Sequence, residues 1–414
     1  MKKRILIVGN GANAYALAKK MSEEHEIFIT PSSDTLKEFA TTLDIRENNV
    51  SELLEFVLEN QIDMTVPVSQ EAINTGIVSL FNNNNQLIFA PSEKANELSS
   101  NKVQAKRVLY KLHIQTPKFG IFEKENIALD YLKNQKIPFV IKTNDINSAV
   151  VLTSVQCAKT IITSSYIEKN KKLIIEDYIY GTPFSFYALT DGYKALPIGS
   201  SLNYRYSLDG DGGQITSGMA SCVPNYKLSN DDEYFIMDNV IYPAIEYLEK
   251  GGNPYVGVMG VTGVKTDDGN LFILGWNSFM QDSDCAGILD NIDDDIYSLM
   301  EACANGSFSD DVNSVKLKNK YYVSAVLKNL NKTLNEYPIS GLEALEDDTL
   351  VSFYPGVARN KYLEYVAPTG AVCAITTMAP TVASASNKLY SEAECIKFDG
   401  IYYRKDICRP SNLS

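Results

Sequence analysis

Histidine is nearly absent from this sequence: the 414 residues include only His25 and His113. Neither lies near a candidate nucleophile or metal cluster, so histidine-based triads and HExxH zinc sites are excluded. Positive charge is also scarce, because 38 Lys and Arg stand against 51 Asp and Glu and the net charge is −13. Nucleic-acid binding needs clustered basic residues, so we expect no nucleic-acid partner, whereas backbone amides can still hold a small anion.

Long apolar runs and paired cysteines are missing as well. No stretch reaches the roughly 18 apolar residues that a membrane-spanning helix needs, and the seven cysteines are scattered without CxxC spacing. Neither a zinc ribbon nor a disulfide scaffold is therefore indicated. We expect a cytoplasmic protein with no membrane partner, and at roughly 150 residues per domain the length predicts two to three domains.

Strands and helices alternate over the first hundred residues. Residues 4–8 form a compact β-branched run, typical of a strand that is buried on both faces. A helix at residues 12–24 follows, and further strands and helices alternate up to residue 90. This alternation predicts right-handed βαβ units and a doubly wound α/β domain with a parallel sheet.

The rest of the chain has an α+β pattern. An amphipathic helix at residues 101–113 precedes short β runs at 139–142, 149–153, 173–178 and 184–189. Ser229 is the predicted N-cap of a long helix that Pro243 should kink, and a hairpin is predicted at residues 256–274. Small polar residues at 306–313 predict a boundary, and β runs follow at 321–327, 350–354 and 371–377.

The segment Gly9-Asn10-Gly11 lies where the first strand gives way to a helix. Small residues at such a turn let backbone amides approach a phosphate, and the helix dipole attracts its charge. The pattern is not a complete GxGxxG motif, because Ala14 occupies the last position. A tight turn without a ligand explains this segment equally well.

Several segments, taken in order, resemble one known family. They are ILIVGNGANAYALA at residues 5–18, LIFAPS at 87–92, NKVQAKRVLYKLHIQTPKF at 101–119, PFVIK at 138–142, LIIEDYIYG at 173–181, DGDGGQITSGM at 209–219 and YRKDI at 403–407. They look like segments of phosphoribosylamine–glycine ligases, which are ATP-grasp enzymes. The resemblance implies a preATP-grasp domain at residues 1–100, an ATP-grasp core at 101–312 with a lid at about 120–190, and a β-rich C-terminal domain at 313–414.

The reaction that the resemblance implies needs no histidine base. ATP phosphorylates the carboxylate of glycine, and the amine of phosphoribosylamine attacks the acyl phosphate to give glycinamide ribonucleotide. Such chemistry depends on neutralising phosphate charge and excluding water. The resemblance thus implies ATP and Mg²⁺ or Mn²⁺ as cofactors, glycine and phosphoribosylamine as small-molecule substrates, and a monomer or homodimer.

The family's site residues can be carried over only where this sequence matches its motifs. By resemblance, the ATP-binding positions are Lys102, Lys142, Glu176, Asp177 and Ile179, with the two lysines on phosphates and the other three at the adenine hinge. Asn277 is the implied metal ligand. The implied substrate-binding positions are Gly9, Asn10, Gly11, Gly213 and Met219, and the implied catalytic positions are Asp211 and Gly218.

Other positions depart from the family pattern. The glycine-rich lid loop with its lysine is replaced by residues 144–149, and Thr182 and Pro183 stand where an acid would hold the ribose. Asn13 replaces an arginine suited to phosphate. These changes remove charge and backbone freedom that the family uses on its substrates.

The implied metal site is also altered. Gly275 replaces a metal-ligating glutamate, which weakens a Mg²⁺ site. Asp282 or Asp284 is a substitute ligand, unless both belong to a solvated acidic loop. Three interpretations stay open: an active ligase of this specificity, a degenerate member that serves as a binding or scaffold protein, and an ATP-grasp ligase for another substrate pair.

Overall fold

The computed structural model describes residues 2–143, 149–167, 172–308, 314–332 and 337–409. The N-terminal part alternates strands and helices: β1 (Arg4–Val8), α1 (Ala12–Ser22), β2 (Glu26–Thr30), β3 (Thr41–Thr42), α2 (Val50–Glu59), β4 (Met64–Pro67), α3 (Gln70–Asn74) and α4 (Ile77–Asn83). Its strands are parallel, in the order β3-β2-β1-β4. The predicted parallel sheet is confirmed, with β1 buried between helices on both faces.

A small antiparallel subdomain follows α5 (Glu97–Ser100) and α6 (Lys102–Lys111). It consists of β5 (Phe119–Phe122), α7 (Glu125–Leu132), β6 (Phe139–Lys142), β7 (Ala149–Leu152), α8 (Val155–Ile167) and β8 (Leu173–Asp177), with the strand order β5-β8-β6-β7. Residues from both helices and the sheet form its own apolar core. We call this subdomain the lid. It ends at Asp177, although the expected lid extends to about residue 190.

The central elements build a large antiparallel sheet. They are β9 (Thr182–Asp191), β10 (Ala195–Leu208), β11 (Gly212–Val223), α9 (Asn230–Ile236), α10 (Tyr242–Lys250), β12 (Val256–Lys265) and β13 (Leu271–Asn277). The predicted hairpin is confirmed by the pairing of β12 with β13. The long strands β10 and β11 were not predicted, because polar residues such as Ser200, Ser201 and Asn203 interrupt their apolar pattern.

The predicted long helix is formed by α9 and α10. Ser229 caps α9 in a capping box with Asp232, as expected. A π-helical segment, Met237–Ile241, separates the two helices directly before Pro243. Proline lacks a backbone N–H and displaces the preceding turn, which accounts for the irregularity that Pro243 predicts.

The C-terminal strands continue the large sheet. The remaining elements are α11 (Cys285–Asn291), α12 (Ile296–Ala304), β14 (Tyr321–Asn329), β15 (Tyr337–Pro338), β16 (Leu350–Phe353), β17 (Ala358–Arg359), β18 (Tyr365–Ala367), β19 (Gly370–Ala379), α13 (Val382–Cys395) and β20 (Ile401–Tyr402). The sheet order is β13-β12-β9-β10-β11-β14-β19-β16, so β11 pairs with β14 across the expected boundary. No helix in the described ranges is long and apolar enough to span a membrane.

Candidate active site

A cleft of about 450 Å³ lies between the lid, the N-terminal domain and the large sheet. Its walls come from α1, α6, β6, β10, β11, β13 and the loop after β13. The described lining residues include the basic side chains Lys102, Lys106, Lys142 and Arg205, and the carboxylate Asp282. The cleft is therefore locally positive on an acidic chain, which suits a polyanionic ligand.

Glu176 organises the positive charge at this cleft. It lies on β8, is 1% exposed, and its carboxylate oxygens contact Lys142 Nζ at 2.5 Å and Lys106 Nζ at 2.8 Å. Burial by itself favours the protonated acid, but the two ammonium groups lower the pKa of Glu176 below its ordinary value. Burial lowers the pKa of Lys106 to about 8, although the charge of Glu176 opposes this shift. The two lysines are thus held side by side on one buried carboxylate.

Lys106 is a site residue that sequence reasoning missed. Its Nζ also donates to Thr116 Oγ1 at 2.7 Å, and the Thr116 hydroxyl donates to the Ile273 carbonyl at 2.8 Å. The helical spacing of the sequence could have identified it, because Lys106 lies three residues from both Val103 and Leu109 and therefore on the buried face of α6. The predicted Lys102 begins α6 and lines the same cleft.

The expected adenine hinge lies at the end of β8. Asp177 is the last residue of that strand, and its backbone N–H donates to the Lys118 carbonyl at 2.9 Å. Neither Asp177 nor Ile179 is among the described residues that line the cleft, and the carboxylate of Glu176 is engaged by lysines. The adenine-binding role of these residues stays a prediction.

Two departures from the family pattern border this hinge. Thr182, in place of the ribose-holding acid, starts β9 and pairs with Lys265. Of the altered lid loop, residues 144–148 lie outside the described residues, while Ala149 begins β7 and lines the cleft.

The position implied for a metal ion does not offer a ligand set for Mg²⁺ or Mn²⁺. Asn277 Nδ2 donates to Thr262 Oγ1 at 2.9 Å, and Asn277 Oδ1 accepts from Gln281 Nε2 at 3.3 Å. Gly275 pairs with Thr262, and a Cβ atom at Gly275 would meet no described atom within 4 Å. Hard divalent cations prefer carboxylate oxygens. The side chains at positions 262, 275 and 277 supply none, so they do not fit the ion.

His25 does lie beside acidic side chains, contrary to the expectation from the sequence. Together with Glu24 and Asp295 it forms a group with metal-ligating potential in the described part of the chain. The group lies outside the cleft lining, and the Asp295 carboxylate already caps α12 through the N–H groups of Tyr297 and Ser298. It therefore adds no ligand to the position around Asn277.

Asp282 and Asp284 do not belong to a solvated loop, which corrects that alternative. Burial raises the pKa of both carboxyls, although their hydrogen bonds oppose the shift. Asp282 lines the cleft and accepts the backbone N–H of Asn13 at 3.0 Å. Asp284 is fully buried and accepts hydrogen bonds from the hydroxyls of Tyr187, Ser201 and Ser283 and from the amide of Asn203. Asp284 is thus committed to the protein interior.

The Gly9-Asn10-Gly11 turn joins β1 to α1 beside the cleft. Gly9 has a φ of +141°, and a Cβ atom there would lie 2.8 Å from Val68 Cγ2, so the turn needs glycine. The first turn of α1 gives one backbone N–H, that of Asn13, to Asp282. This amide is engaged by a carboxylate of the chain itself, and the role of Gly9, Asn10 and Gly11 in phosphate binding stays a prediction.

Asp211 lies at the turn between β10 and β11, against the C-terminal segment, and Gly213 is the second residue of β11. Arg404, which is 1% exposed, donates to Asp211 Oδ1 at 2.9 Å and to the two oxygens of Asp406 at 2.8 and 2.6 Å. Neither Asp211 nor Gly213 is among the described lining residues. The structure therefore gives Asp211 a contact with Arg404 in place of one with the cleft, and its catalytic role stays a prediction.

Gly218 and Met219 stand just behind the wall of the cleft. Met219 is fully buried in β11, and a Cβ atom at Gly218 would lie 2.6 Å from Ser283 Oγ. The residues of this loop that line the cleft are Ile215, Thr216 and Ser217. The catalytic role of Gly218 and the substrate-binding role of Met219 stay predictions, and the side chains of this strand that line the cleft come from the preceding residues.

Three profiles of one family match consecutive parts of the chain. They are the phosphoribosylglycinamide synthetase N domain at residues 3–99, its ATP-grasp (A) domain at 100–285 and its C domain at 331–410. The chain belongs to the phosphoribosylglycinamide synthetase family. Members of this family are ATP-grasp ligases, and the basic cleft lies within the region that matches the ATP-grasp domain, bordered by α1 of the N domain.

Individual proteins agree with this assignment along nearly the whole chain. A phosphoribosylamine–glycine ligase of Halalkalibacterium halodurans is 26% identical over 97% of this chain and 96% of its own length. The enzyme of the same name from Caldanaerobacter subterraneus is 27% identical over 98% and 99%. The phosphoribosylglycinamide synthetase family thus accounts for all three regions at once.

Solved structures show the same fold. A phosphoribosylamine–glycine ligase from Thermotoga maritima superposes with a TM-score of 0.79 at 21% identity, covering 97% of this chain and 99% of that one. A biotin carboxylase from Campylobacter jejuni, solved as a β,γ-ATP complex, gives a TM-score of 0.72 at 15% identity over 97% and 93%. At such identities the likeness concerns the fold.

Proposed function

We propose that this protein joins glycine to 5-phosphoribosylamine at the expense of ATP, giving glycinamide ribonucleotide for purine biosynthesis. The observation that supports this most is the basic cleft, in which Lys102, Lys106, Lys142 and Arg205 line one space. Relatives that bear the name of this activity match 97% and 98% of the chain. The cleft opens between a lid and a parallel α/β domain, the place where a nucleotide and a second substrate can meet.

The reaction transfers the γ-phosphoryl group of ATP to a carboxylate oxygen of glycine. The amine nitrogen of phosphoribosylamine then attacks the carbonyl carbon, the C–O bond to phosphate breaks, and the nitrogen loses a proton. The lysines on Glu176 neutralise phosphate charge during both steps, and their charges act strongly because the side chains of Lys106 and Lys142 are only 2% and 11% exposed to solvent. Their fixed position on a buried carboxylate removes the need to reorganise them during reaction.

ATP as the nucleotide is supported by the ATP-grasp domain match and by the nucleotide complexes of structural neighbours. A divalent cation held by Asn277 is not supported, because the side chains at positions 262, 275 and 277 do not form a suitable ligand set. We therefore derive no step through a protein-bound metal. The cytoplasmic location and the monomeric or homodimeric state stay predictions, which fractionation and gel filtration check.

The experiment is a coupled assay of ADP release with ATP, glycine and freshly generated phosphoribosylamine, with the product identified by mass. We expect ADP release that requires both glycine and the amine, and a Lys142→Ala variant should abolish it. Omission of each substrate in turn is the internal control. ADP release that is independent of glycine, or a product without the glycine mass, would overturn the assigned substrate pair.

A further inference from the structure

Arg205 is a charged residue of the cleft without a counter-ion in the described structure. It lies on β10, its Nε is buried without a hydrogen-bond partner, and its guanidinium forms no ion pair with any described residue. The buried acid in its vicinity, Asp284, is already satisfied by hydroxyl and amide donors. A buried charge that lacks a partner is costly. The cleft is therefore built to receive an anion next to Arg205.

The opposite feature occurs on β12 and β13, where relatives are expected to hold a metal ion. Asn277 is hydrogen-bonded to Thr262 and to Gln281, and Gly275 leaves open space in place of a carboxylate. The side chains at positions 262, 275 and 277 therefore offer no carboxylate to hold an ion, and Asp282 of the same cleft accepts the backbone N–H of Asn13. Arg205 and this wall line the same cleft.

We propose that Arg205 acts on the terminal phosphates of the nucleotide in place of a metal ion held by the protein. A guanidinium presents planar, paired N–H donors that match a phosphate group, and it keeps its charge at every physiological pH. Glu176 already shares its charge with two lysines, and Arg205 adds a positive charge that forms no ion pair with a described carboxylate. This inference rests on the proposed use of ATP, and nucleotide binding by this chain should then not depend on a protein-held divalent cation.

The first test is calorimetric titration of the full-length protein with ATP, once in Mg²⁺ and once in EDTA at equal ionic strength. We expect the two dissociation constants to agree within about threefold, since the side chains at positions 262, 275 and 277 offer no carboxylate that would select the metal complex. Binding in Mg²⁺ that weakens by about tenfold or more in EDTA would overturn the inference and leave the proposed ligase intact. Absence of binding in both buffers would overturn the inference and the use of ATP together.

The second test replaces the guanidinium. Arg205→Gln should weaken ATP binding by about tenfold or more in both buffers, as expected for a lost charged hydrogen bond. The protein without nucleotide should melt at the same or a higher temperature, because a guanidinium whose Nε is buried without a hydrogen-bond partner is removed. Arg107→Gln removes the same charge from the exposed face of α6 and should change neither quantity. A lower melting temperature, or unchanged ATP affinity, in Arg205→Gln would show that Arg205 has a structural role.

The third test restores a carboxylate where the metal is expected. A Cβ atom at Gly275 would meet no described atom within 4 Å, so the Cβ of the new side chain in Gly275→Glu fits without a clash. We expect this variant to bind ATP about tenfold or more tightly in Mg²⁺ than in EDTA, because a carboxylate attracts the metal complex and repels the free nucleotide. An unchanged ratio of the two affinities would place the terminal phosphates elsewhere and overturn the inference.

Discussion

Lys106 and Glu176 form an ion pair of 2.8 Å in which both side chains are 2% exposed. Lys142, from the neighbouring strand of the lid, shares the same carboxylate at 2.5 Å. The pair links α6 to β8 and thereby joins the lid to the helix below it. Charges so deeply buried persist only when each has a partner, so every member of this group affects both stability and the ligand site.

Glu176→Gln should destabilise the protein strongly. The substitution leaves Lys106 and Lys142 without their counter-charge in a buried place, and breaking such a pair costs about 3–5 kcal/mol. Urea denaturation measures the change in the free energy of unfolding. Glu123→Gln is the matched control in the same subdomain, since the exposed Glu123–Lys172 pair should contribute less than about 1 kcal/mol. Equal effects of the two variants would contradict the role assigned to Glu176.

The stabilisation by Glu176 should disappear in acid. Burial raises the pKa of Glu176, but the positive charges of Lys106 and Lys142 lower it by more. The pKa therefore lies below its ordinary value of 4.5. The unfolded chain therefore binds a proton at higher pH than the folded one, and the stabilisation is present above pH 4.5 and lost as the pH falls through the folded pKa. The difference in unfolding free energy between wild type and Glu176→Gln should be constant above pH 4.5 and shrink as the pH falls below that value. A difference that stays constant below that value as well would contradict this linkage.

ATP binding should weaken as the pH rises through about 8. Burial lowers the pKa of Lys106 to about 8 from 10.5, so the cleft loses a positive charge there, and we expect about tenfold lower affinity at pH 9.5 than at pH 7. The unfolded chain keeps this proton up to 10.5, so the contribution of Lys106 to the unfolding free energy rises over the same window. Weaker binding would therefore not reflect unfolding.

Calorimetry at several pH values measures this dependence. Lys106→Met, which removes the titrating group, should bind ATP weakly and with little dependence on pH between the same limits. A pH slope that persists in Lys106→Met would assign the titration to another group.

Lys142→Ala should abolish the rise in melting temperature that ATP produces. Lys142 ends β6, is 11% exposed in its side chain and lines the cleft, so its ammonium group is placed for a phosphate. Ligand-induced stabilisation follows the affinity, and thermal denaturation with increasing ATP measures it. Lys133→Ala, which removes an exposed lysine of the same subdomain, should leave the rise unchanged. An undiminished rise in Lys142→Ala would refute the phosphate assignment.

Arg404→Gln should release the turn between β10 and β11 from the C-terminal segment. Its guanidinium holds Asp211 and Asp406, and Asp406 in turn accepts the N–H of Gly210 at 2.9 Å. We expect a destabilisation of about 2 kcal/mol and faster hydrogen exchange at Gly210 and its neighbours. Asp211→Asn loses only one of these contacts and should have a smaller effect. Lower turnover in Asp211→Asn with unchanged exchange would instead support a catalytic role for Asp211.

The sequence located most of the local structure but fewer of the side chains in the cleft. The spacing of apolar residues predicted β1, α6 and the β12–β13 hairpin, because each has a clear hydrophobic pattern. It missed α13 and the paired strands β10 and β11, whose polar residues are satisfied only by neighbours distant in sequence, such as Asp284 and Ser201 at 2.8 Å. Lys142 and Lys102 were found through motifs, whereas Lys106 and Arg205 were not.

The family and the parallel N-terminal sheet can be recognised from the sequence without the structure. Both can be read from hydrophobic periodicity and short motifs, because these patterns involve residues that are close together in the sequence. Tertiary structure alone decided that Lys106 and Lys142 share Glu176, that Asp211 contacts Arg404, and that Arg205 lines the cleft without an ion-pair partner among the described residues. The physical reason is that charge balance in a buried site depends on which carboxylates and cations packing brings within a few ångströms, and that is set by long-range strand pairing.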